Sequence, residues 1–292
     1  MTALAHSSGH RAANYAKTAM LMAALTALAL VVGAKLGGSS GLILAALFIG
    51  GTNLVSYWFS DRIALALNRA QPVPPGELPE VERIVTELAT RAQIPVPKLY
   101  VIPTGSPNAF ATGRNPEHAA VAVTAGILDL LDARELRGVL AHELSHVVNR
   151  DTLISTVAGT MAGLISFLAR SIFWLGGAML GGGGDRRRGG GLAELGVILV
   201  APLVALLLQL AVSRSREFGA DASGAELCDD PQALASALAK LENGVRRIPD
   251  ATAPATSHLF IVNPLSGTSL RSLFSTHPPT QERIRRLLGQ GA

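Results

Sequence analysis

Apolar residues in this chain are concentrated in four long stretches. Two of them, residues 18–32 and 41–59, lie near the amino terminus and are separated by a short segment suited to a tight turn. Two more, residues 152–169 and 192–212, lie on either side of the Gly- and Arg-rich segment 181–191. Each stretch approaches the roughly 20 apolar residues that a helix needs to cross a bilayer. The pattern therefore predicts two helical hairpins embedded in a membrane.

The remaining regions are more polar and carry the patterns of a folded domain. Apolar positions recur at helical spacing in residues 79–92 and 133–149, and Asp132 with Glu135 is a candidate capping box for the second helix. Short runs bounded by Pro, Gly and Asn predict strands at residues 98–102, 109–112 and 119–123. Further helices are predicted at residues 125–131, 231–243 and 279–288. The expected fold class is a mainly α-helical membrane protein with a small α+β domain.

Composition supports a membrane protein and excludes some other classes. The chain is 49% hydrophobic and only 16% charged, where an ordinary soluble domain is about one quarter charged. Its net charge is +4, and its basic residues fall in two blocks along the chain instead of one patch, so no nucleic-acid partner is expected. Cys228 is the one cysteine in the sequence, which rules out an intramolecular disulfide and a zinc site built from cysteines.

The residues with the clearest chemical meaning are His142, Glu143 and His146, in the sequence HELSH. Positions i and i+4 of a helix lie on one face, so both imidazoles can bind one metal ion. Glu143 can then reach a water molecule beside that ion and act as the general base. About 0.007 chance occurrences of the pattern are expected in a chain of this composition. The motif predicts a catalytic site with one zinc ion per chain.

A third metal ligand is required, because catalytic zinc usually has three protein ligands and one open position. Glu217 is the preferred residue. If both later apolar stretches cross the bilayer, the chain returns just before Glu217 to the membrane face that carries the histidines. Glu194 would then lie on the opposite face, and Glu226 remains a weaker alternative.

Asp221 lies four residues after Glu217 and therefore on the same face of a helix. It is suited to accept a hydrogen bond from the outer nitrogen of a ligand imidazole. The alternative is an ordinary solvated salt bridge with Arg214 or Arg216.

These motifs, in their order, resemble the HtpX-type membrane zinc peptidases, which are bacterial relatives of the CAAX prenyl endopeptidases. The segments that carry the resemblance are PNAFATG at 107–113, HELSH at 142–146, NRD at 149–151, SRSREFGAD at 213–221 and STHPPTQERI at 275–284. The resemblance implies a zincin-like catalytic domain with an HExxH helix, in which His142, His146 and Glu217 bind zinc and Glu143 is catalytic. It also implies endoproteolysis of damaged or misfolded membrane proteins under envelope stress, with the active site facing the cytoplasm from the inner membrane.

This interpretation divides the chain into four parts. They are an N-terminal transmembrane hairpin (1–60), a first catalytic part with the HExxH helix (61–151), a second hydrophobic hairpin (152–212) and a second catalytic part with the third zinc ligand (213–292). The expected partners are polypeptide substrates and the lipid bilayer. The short loop with Arg170 and Arg186 to Arg188 would lie outside the cell, which the positive-inside rule disfavours, so residues 152–212 either span against that rule or do not span fully.

Other residues have weaker signals. His277, and less strongly Arg283, could stabilise the oxyanion of a tetrahedral intermediate, although His277 also fits a helix-capping turn. Asn108, Ala109, Phe110 and Ala111 could form an edge strand to which a substrate is added, or an ordinary core hairpin.

The alternatives to a general membrane endopeptidase are a specific processing peptidase of the CAAX-protease type, a catalytically silent zinc-binding scaffold, and a small transporter. A silent scaffold would not need Glu143. Away from their ends, the candidate spans contain no carboxylate or histidine that would mark the path of an ion, which argues against a transporter.

Overall fold

The computed structural model of the protein describes residues 3–158, 161, 214–248, 259–262 and 278–289. These residues form a mainly helical fold with one small mixed sheet. The helices are α1 (Ala3–Leu67), α2 (Pro79–Arg91), α3 (Ala125–Leu130), α4 (Ala133–Asn149), α5 (Arg214–Cys228), α6 (Pro231–Arg247) and α7 (Thr280–Leu287). The strands are β1 (Gln71–Pro72), β2 (Lys98–Ile102), β3 (Ala109–Thr112) and β4 (Ala120–Thr124).

The long helical segment α1 reverses direction within its length. Asn53 Nδ2 donates to Thr26 Oγ1 at 2.8 Å, whereas a straight helix would separate residues 27 positions apart by about 40 Å. Gly38 lies about midway between them and has a φ of 57°, in the left-handed region that glycine tolerates. The two arms also share an apolar cluster that contains Leu25 and Ile49. The apolar N-terminal segment is therefore a pair of helices packed side by side.

The second arm meets the length that a membrane span requires, and the first does not. Gly38–Leu67 has 30 residues and contains an 18-residue segment with a mean hydropathy of 1.6, of which 11% is buried in the protein. The apolar helix of the first arm, Tyr15–Val31, is shorter than 18 residues. Among the described residues, one candidate span is therefore present where the sequence predicted two. The predicted spans at 152–169 and 192–212 lie largely or wholly outside the described residues.

The sheet has the order β1-β2-β4-β3. β2 runs parallel to β4, while β1 and β3 are antiparallel to their neighbours. β2 and β3 have the boundaries predicted from the sequence, and β4 begins one residue later than predicted. β3 lies at an edge of the sheet, as one of the two interpretations of residues 108–112 requires.

Both faces of the sheet are covered, because successive side chains of a strand point to opposite sides. Val121 and Val123 of β4 face the main core, which is built from α2, α4 and α6. Ala120 and Ala122 face a second cluster, in which the end of α1 packs against the sheet with Phe260. β3 and β4 are consequently buried along their whole length, and the end of the span is fixed to the domain that follows it.

Two glycines allow helices to approach α4 very closely. A Cβ atom on Gly224 of α5 would lie 2.8 Å from both the Cα and the backbone nitrogen of His142. A Cβ atom on Gly138 of α4 would lie 2.8 Å from the backbone nitrogen of Leu234 at the start of α6. Such distances are well inside van der Waals contact, so only glycine fits at these crossings. The crossing at Gly224 brings α5 against the HELSH segment.

Candidate metal centre

The helix α4 positions the HELSH residues. Its start is fixed by the predicted capping box, in which Asp132 Oδ1 accepts from the backbone N–H of Glu135 at 2.8 Å and Glu135 Oε2 accepts from the N–H of Asp132 at 3.2 Å. Its end is fixed by Arg150, whose φ of 63° is left-handed. His142 and Glu143 lie in its buried middle, and His146 lies one turn later with its side chain slightly exposed.

Three side chains converge on one point between α4 and α5. One ligand atom from each of His142, His146 and Glu217 lies within 4.8 Å of the other two. Glu217 Oε2 is 3.9 Å from His142 Nε2, and its Oε1 is 3.6 Å from His146 Nε2. Because the two imidazole rings are nearly perpendicular, at 88°, their Nε2 atoms approach the point from different directions. This arrangement offers two nitrogens and a carboxylate to a single cation.

Each imidazole is held from behind by an aspartate. His142 Nδ1 lies 3.0 Å from Asp221 Oδ1, and His146 Nδ1 lies 3.1 Å from Asp151 Oδ2. A carboxylate at Nδ1 favours the proton on that nitrogen and leaves Nε2 with its lone pair free for a metal ion. Both rings are therefore oriented with Nε2 toward Glu217.

The sequence interpretation did not identify Asp151, although one signal was available. Asp151 follows His146 by five residues, so on an unbroken helix it would not face that histidine. The left-handed residue Arg150 interrupts α4, and the chain resumes as a helix at residue 151 in a new direction. An acidic residue directly after the predicted end of the HExxH helix was the available signal.

Arg283 of α7 joins Asp221 to the metal centre. Its side chain is 1% exposed, and its Nε and Nη2 donate to the two oxygens of Asp221 at 2.8 and 2.7 Å. The same guanidinium donates from Nη1 to the carbonyl of Ile261 at 2.9 Å. The solvated pairing of Asp221 with Arg214 or Arg216 is therefore wrong, because Asp221 is buried and its partners are His142 and Arg283.

Glu143 lies beside the three candidate ligands and is fixed by the edge strand. Its Oε2 accepts a hydrogen bond from the backbone N–H of Ala111 in β3 at 2.9 Å. Burial raises the pKa of Glu143 to about 8, although His146 and the Ala111 hydrogen bond act in the opposite direction. A carboxylate with this proton affinity can both accept and return a proton near neutral pH.

The charges around the site favour a cation. Four carboxylates surround it (Glu143, Asp151, Glu217, Asp221), and two guanidinium groups oppose them (Arg216, Arg283). The carboxylates outnumber the guanidinium groups, so the site carries an excess of acidic groups that suits a cation. Burial alone would lower the pKa of His146, but the hydrogen bond to Asp151 and the charge of Glu217 outweigh burial and raise it to about 9. The excess negative charge thus draws a proton to the position that a metal ion would take.

The two histidines differ in their proton affinity. Burial lowers the pKa of His142 to about 4, although Asp221, whose Oδ1 lies 3.0 Å from Nδ1, acts in the opposite direction. Burial would raise the pKa of Asp221, but the charge and hydrogen bonds of Arg283 and the close contact with His142 lower it to about 2. Asp221 is therefore ionised and His142 neutral, the state in which an imidazole binds a metal ion.

The edge strand β3 is partly covered by the chain itself. The backbone N–H of Ile261 donates to the carbonyl of Ala109 at 3.3 Å, and Asn108 Nδ2 donates to the carbonyl of Val262 at 2.9 Å. Phe110 is fully buried, with its ring edge-on to Phe260 at 5.5 Å between centroids. Residues 108–111 were predicted to bind substrate. Three of them make contacts inside the protein instead: Asn108 and Phe110 through their side chains, and Ala109 through the carbonyl on the outer edge of the strand.

The other candidates occupy different positions. Glu226, the alternative third ligand, is exposed on α5 and is not among the residues that converge on the site. His277 and Glu194 lie outside the described residues, so their predicted roles stay predictions.

A family model described as Peptidase family M48 matches residues 75–290, which begin after α1 and include every residue of the site. Proteins named "Protease HtpX homolog" from Burkholderia mallei and Burkholderia pseudomallei are each 53% identical to the chain over 278 residues. That alignment covers 94% of this chain and 96% of those proteins.

A solved structure shares the fold. The crystal structure of Ste24p from S. mikatae superposes with a TM-score of 0.50 at 20% sequence identity. The match covers 96% of this chain and 66% of that one, just under two thirds of its length. At this identity the likeness concerns the fold alone.

Proposed function

We propose, since the chain belongs to Peptidase family M48, that it is a membrane-bound zinc endopeptidase with the metal held by His142, His146 and Glu217 and with Glu143 as its general base. The family and the HtpX relatives make the chain a metallopeptidase. One observation supports the assignment of these residues above all. The three candidate ligand atoms lie within 4.8 Å of one another, directly beside Glu143.

The donor set fits zinc. Two imidazole nitrogens and one carboxylate are the ligands of many catalytic zinc sites, which keep a further position open. The aspartates behind His142 and His146 favour lone pairs on both Nε2 atoms, and Arg283 Nη2 lies 3.4 Å from Nε2 of His142. The excess of carboxylates around the site suits a divalent cation. When bound here, zinc would act as a Lewis acid on the scissile carbonyl and would increase the acidity of the attacking water.

The chain's own residues supply the proton transfers and the orientation. Ala111 fixes one oxygen of Glu143 through its N–H, so the carboxylate has a defined direction. Glu143 takes the proton of the attacking water and afterwards delivers it to the leaving amine. Arg283 keeps Asp221 in place, and Asp221 in turn orients His142.

The setting proposed for this activity is the bacterial inner membrane, with the site on the cytoplasmic side. The reversal of α1 places Lys17 and Arg62 at the same end of the hairpin, next to the catalytic domain, and positive residues favour the cytoplasmic side. The catalytic domain is proposed to combine residues 61–151 and 213–292, since one apolar core joins α2 and α4 to α6. Residues 152–212 are proposed to form a second membrane hairpin.

The proposed substrates are damaged or misfolded membrane proteins. This proposal rests on the resemblance to the HtpX-type peptidases. A silent scaffold is the less economical alternative, because a metal site that serves structure alone has no use for Glu143 beside the ligands.

The test separates the base from the ligands. Glu143→Gln should retain zinc and lose nearly all proteolysis, because the ligands remain and the proton acceptor is gone. Glu217→Ala should lower the zinc content of the purified protein, while Glu226→Ala, on the exposed side of the same helix, should not. Wild-type cleavage by Glu143→Gln, or full zinc occupancy in Glu217→Ala, would refute the corresponding assignment.

A further inference from the structure

The edge strand β3 lies alongside the last turns of α1. Arg114, two residues beyond β3, places its guanidinium carbon 4.7 Å from the centroid of the Trp58 ring, and its Nη1 donates to the Trp58 carbonyl at 3.4 Å. At the other end of the strand, Phe110 packs in one cluster with Ala64 and Leu65. These two contacts fix the direction of β3, which runs opposite to α1 and approaches Trp58 as it ends.

Trp58 marks the level at which α1 leaves the membrane. The large apolar side chains that α1 exposes between residues 42 and 59 are 41–71% accessible, and the run ends with Trp58 and Phe59. Asp61 and Arg62 follow at once, and the Arg62 guanidinium lies 5.6 Å from the centroid of the Phe59 ring. Aromatic residues at the end of an apolar span, followed by charge, are typical of the membrane–water interface.

The height of the catalytic carboxylate above this level can be read from α1. Trp58 and Leu65 are separated by seven residues, which corresponds to a rise of about 10 Å along a helix. Phe110 belongs to the cluster that contains Leu65, so this part of β3 lies near the level of Leu65. Ala111, the neighbour of Phe110, donates its N–H to Glu143. The Glu143 carboxylate therefore lies about 10 Å or less beyond the level of Trp58. A typical tilt of roughly 20° changes this height by less than about 1 Å.

We propose that the enzyme cuts its membrane-protein substrates at peptide bonds about 10 Å outside the bilayer surface. This inference rests on the proposed function and specifies where its substrates are cut. An extended chain advances about 3.3 Å per residue, so a direct path from the end of a transmembrane segment needs about three residues. Preferred cleavage is thus expected roughly three to eight residues beyond the span, the longer distances allowing for slack.

The experiment measures where anchored substrates are cut. The zinc-loaded full-length enzyme is reconstituted in liposomes with a single-span protein whose flexible tail carries two identical ten-residue cassettes, centred about 8 and 38 residues from the span. The cassette is first chosen as a soluble peptide that the enzyme cleaves. Since effective concentration falls roughly as the −3/2 power of tether length, the near cassette should be cut about tenfold faster.

The controls separate this inference from the proposed function. The same tail without its span should be cut equally in both cassettes, and Glu143→Gln should cut neither. If the near cassette of the anchored protein is cut no faster than the far one, the inference is overturned while the peptidase assignment stands. If neither soluble nor anchored substrate is cut by the wild-type enzyme, the proposed function itself fails.

Discussion

Gly224 offers a direct test of how the third ligand is positioned. It lies on α5 seven residues after Glu217, nearly two full turns, and so on the same face of the helix. A Cβ atom at this position would meet His142 Cα and N at 2.8 Å and the carbonyl carbon of Ala141 at 3.2 Å. All three atoms belong to the backbone of α4, so no side-chain rotation can relieve the contact. Gly224→Ala should therefore push α5 away from α4.

The displacement can be compared with the tolerance of a metal site. Non-bonded carbon atoms approach to about 3.5–4.0 Å, so relief of a 2.8 Å contact requires a movement of roughly 0.7 Å or more. Metal–ligand distances tolerate only about 0.2 Å. Glu217 would thus be drawn out of reach of an ion that His142 and His146 still hold. We expect zinc affinity to fall at least about tenfold, comparable to the loss of a residue that orients a ligand.

Gly219→Ala is the matched control on the same helix. Gly219 is exposed, and a Cβ atom there would have no neighbour within 4 Å. Both substitutions remove a helical glycine, which should stabilise α5 by about 0.5–1 kcal/mol in each case. In Gly224→Ala this gain is opposed by an overpacking cost of about 1–3 kcal/mol. The control should therefore be as stable as the parent or more so, and should bind zinc normally.

The assay is a competition titration with a chelator on folded protein in detergent, together with thermal unfolding of the zinc-free forms. The expected order of zinc affinity is parent and Gly219→Ala together, with Gly224→Ala well below. If Gly224→Ala binds zinc within about twofold of Gly219→Ala, the close helix crossing does not set the position of Glu217 and the reasoning is wrong.

Two further substitutions test other parts of the site. Asp221→Asn removes the charge that pairs with buried Arg283 and orients His142. We therefore expect zinc retention in a chelator titration to fall at least about tenfold. The control Arg214→Gln, at an exposed position, should match the parent. Equal zinc release by these two variants would contradict that role for Asp221. Asp132→Ala removes the capping box of α4 and should lower the free energy of unfolding by about 0.5–2 kcal/mol without changing zinc affinity. The control Asp129→Ala, exposed on α3, should keep a free energy of unfolding within about 0.5 kcal/mol of the parent's, measured by thermal unfolding. An equal loss of stability in Asp132→Ala and Asp129→Ala would contradict the capping explanation.

Local structure was largely readable from the sequence because its determinants are local. The capping box of α4 depends on two residues three positions apart, and both of its hydrogen bonds are present. β2 and β3 begin and end where Pro, Gly and Asn punctuate the chain. The i, i+4 spacing in HELSH places His142 and His146 on one face of a helix whatever surrounds it.

Other features could not be read in this way, because they depend on residues far apart in the chain. Asp221 was expected near a ligand, but its pairing with Arg283 joins residues 62 positions apart and places a guanidinium fully inside the protein. Asp151 reaches His146 only because Arg150 turns the chain at the end of α4. The short strand β1 was not predicted, since it exists by pairing with β2 and has no pattern of its own.

Residue types and short spacings therefore indicate the chemistry, whereas the packing of helices and strands sets the geometry of the site. Composition, apolar stretches and HELSH identify a membrane metallopeptidase, because these signals reside in residue type and short spacing. Glu217 could be preferred over Glu226 from the sequence, but only the contact of Gly224 with the backbone of His142 brings Glu217 to the histidines and leaves Glu226 exposed. The proposed closeness of Glu143 to the membrane likewise rests on the contact of Arg114 with Trp58 and on the cluster that joins Phe110 to the end of α1. Such contacts depend on how whole helices and strands pack, and packing is fixed by shape complementarity that no short pattern encodes.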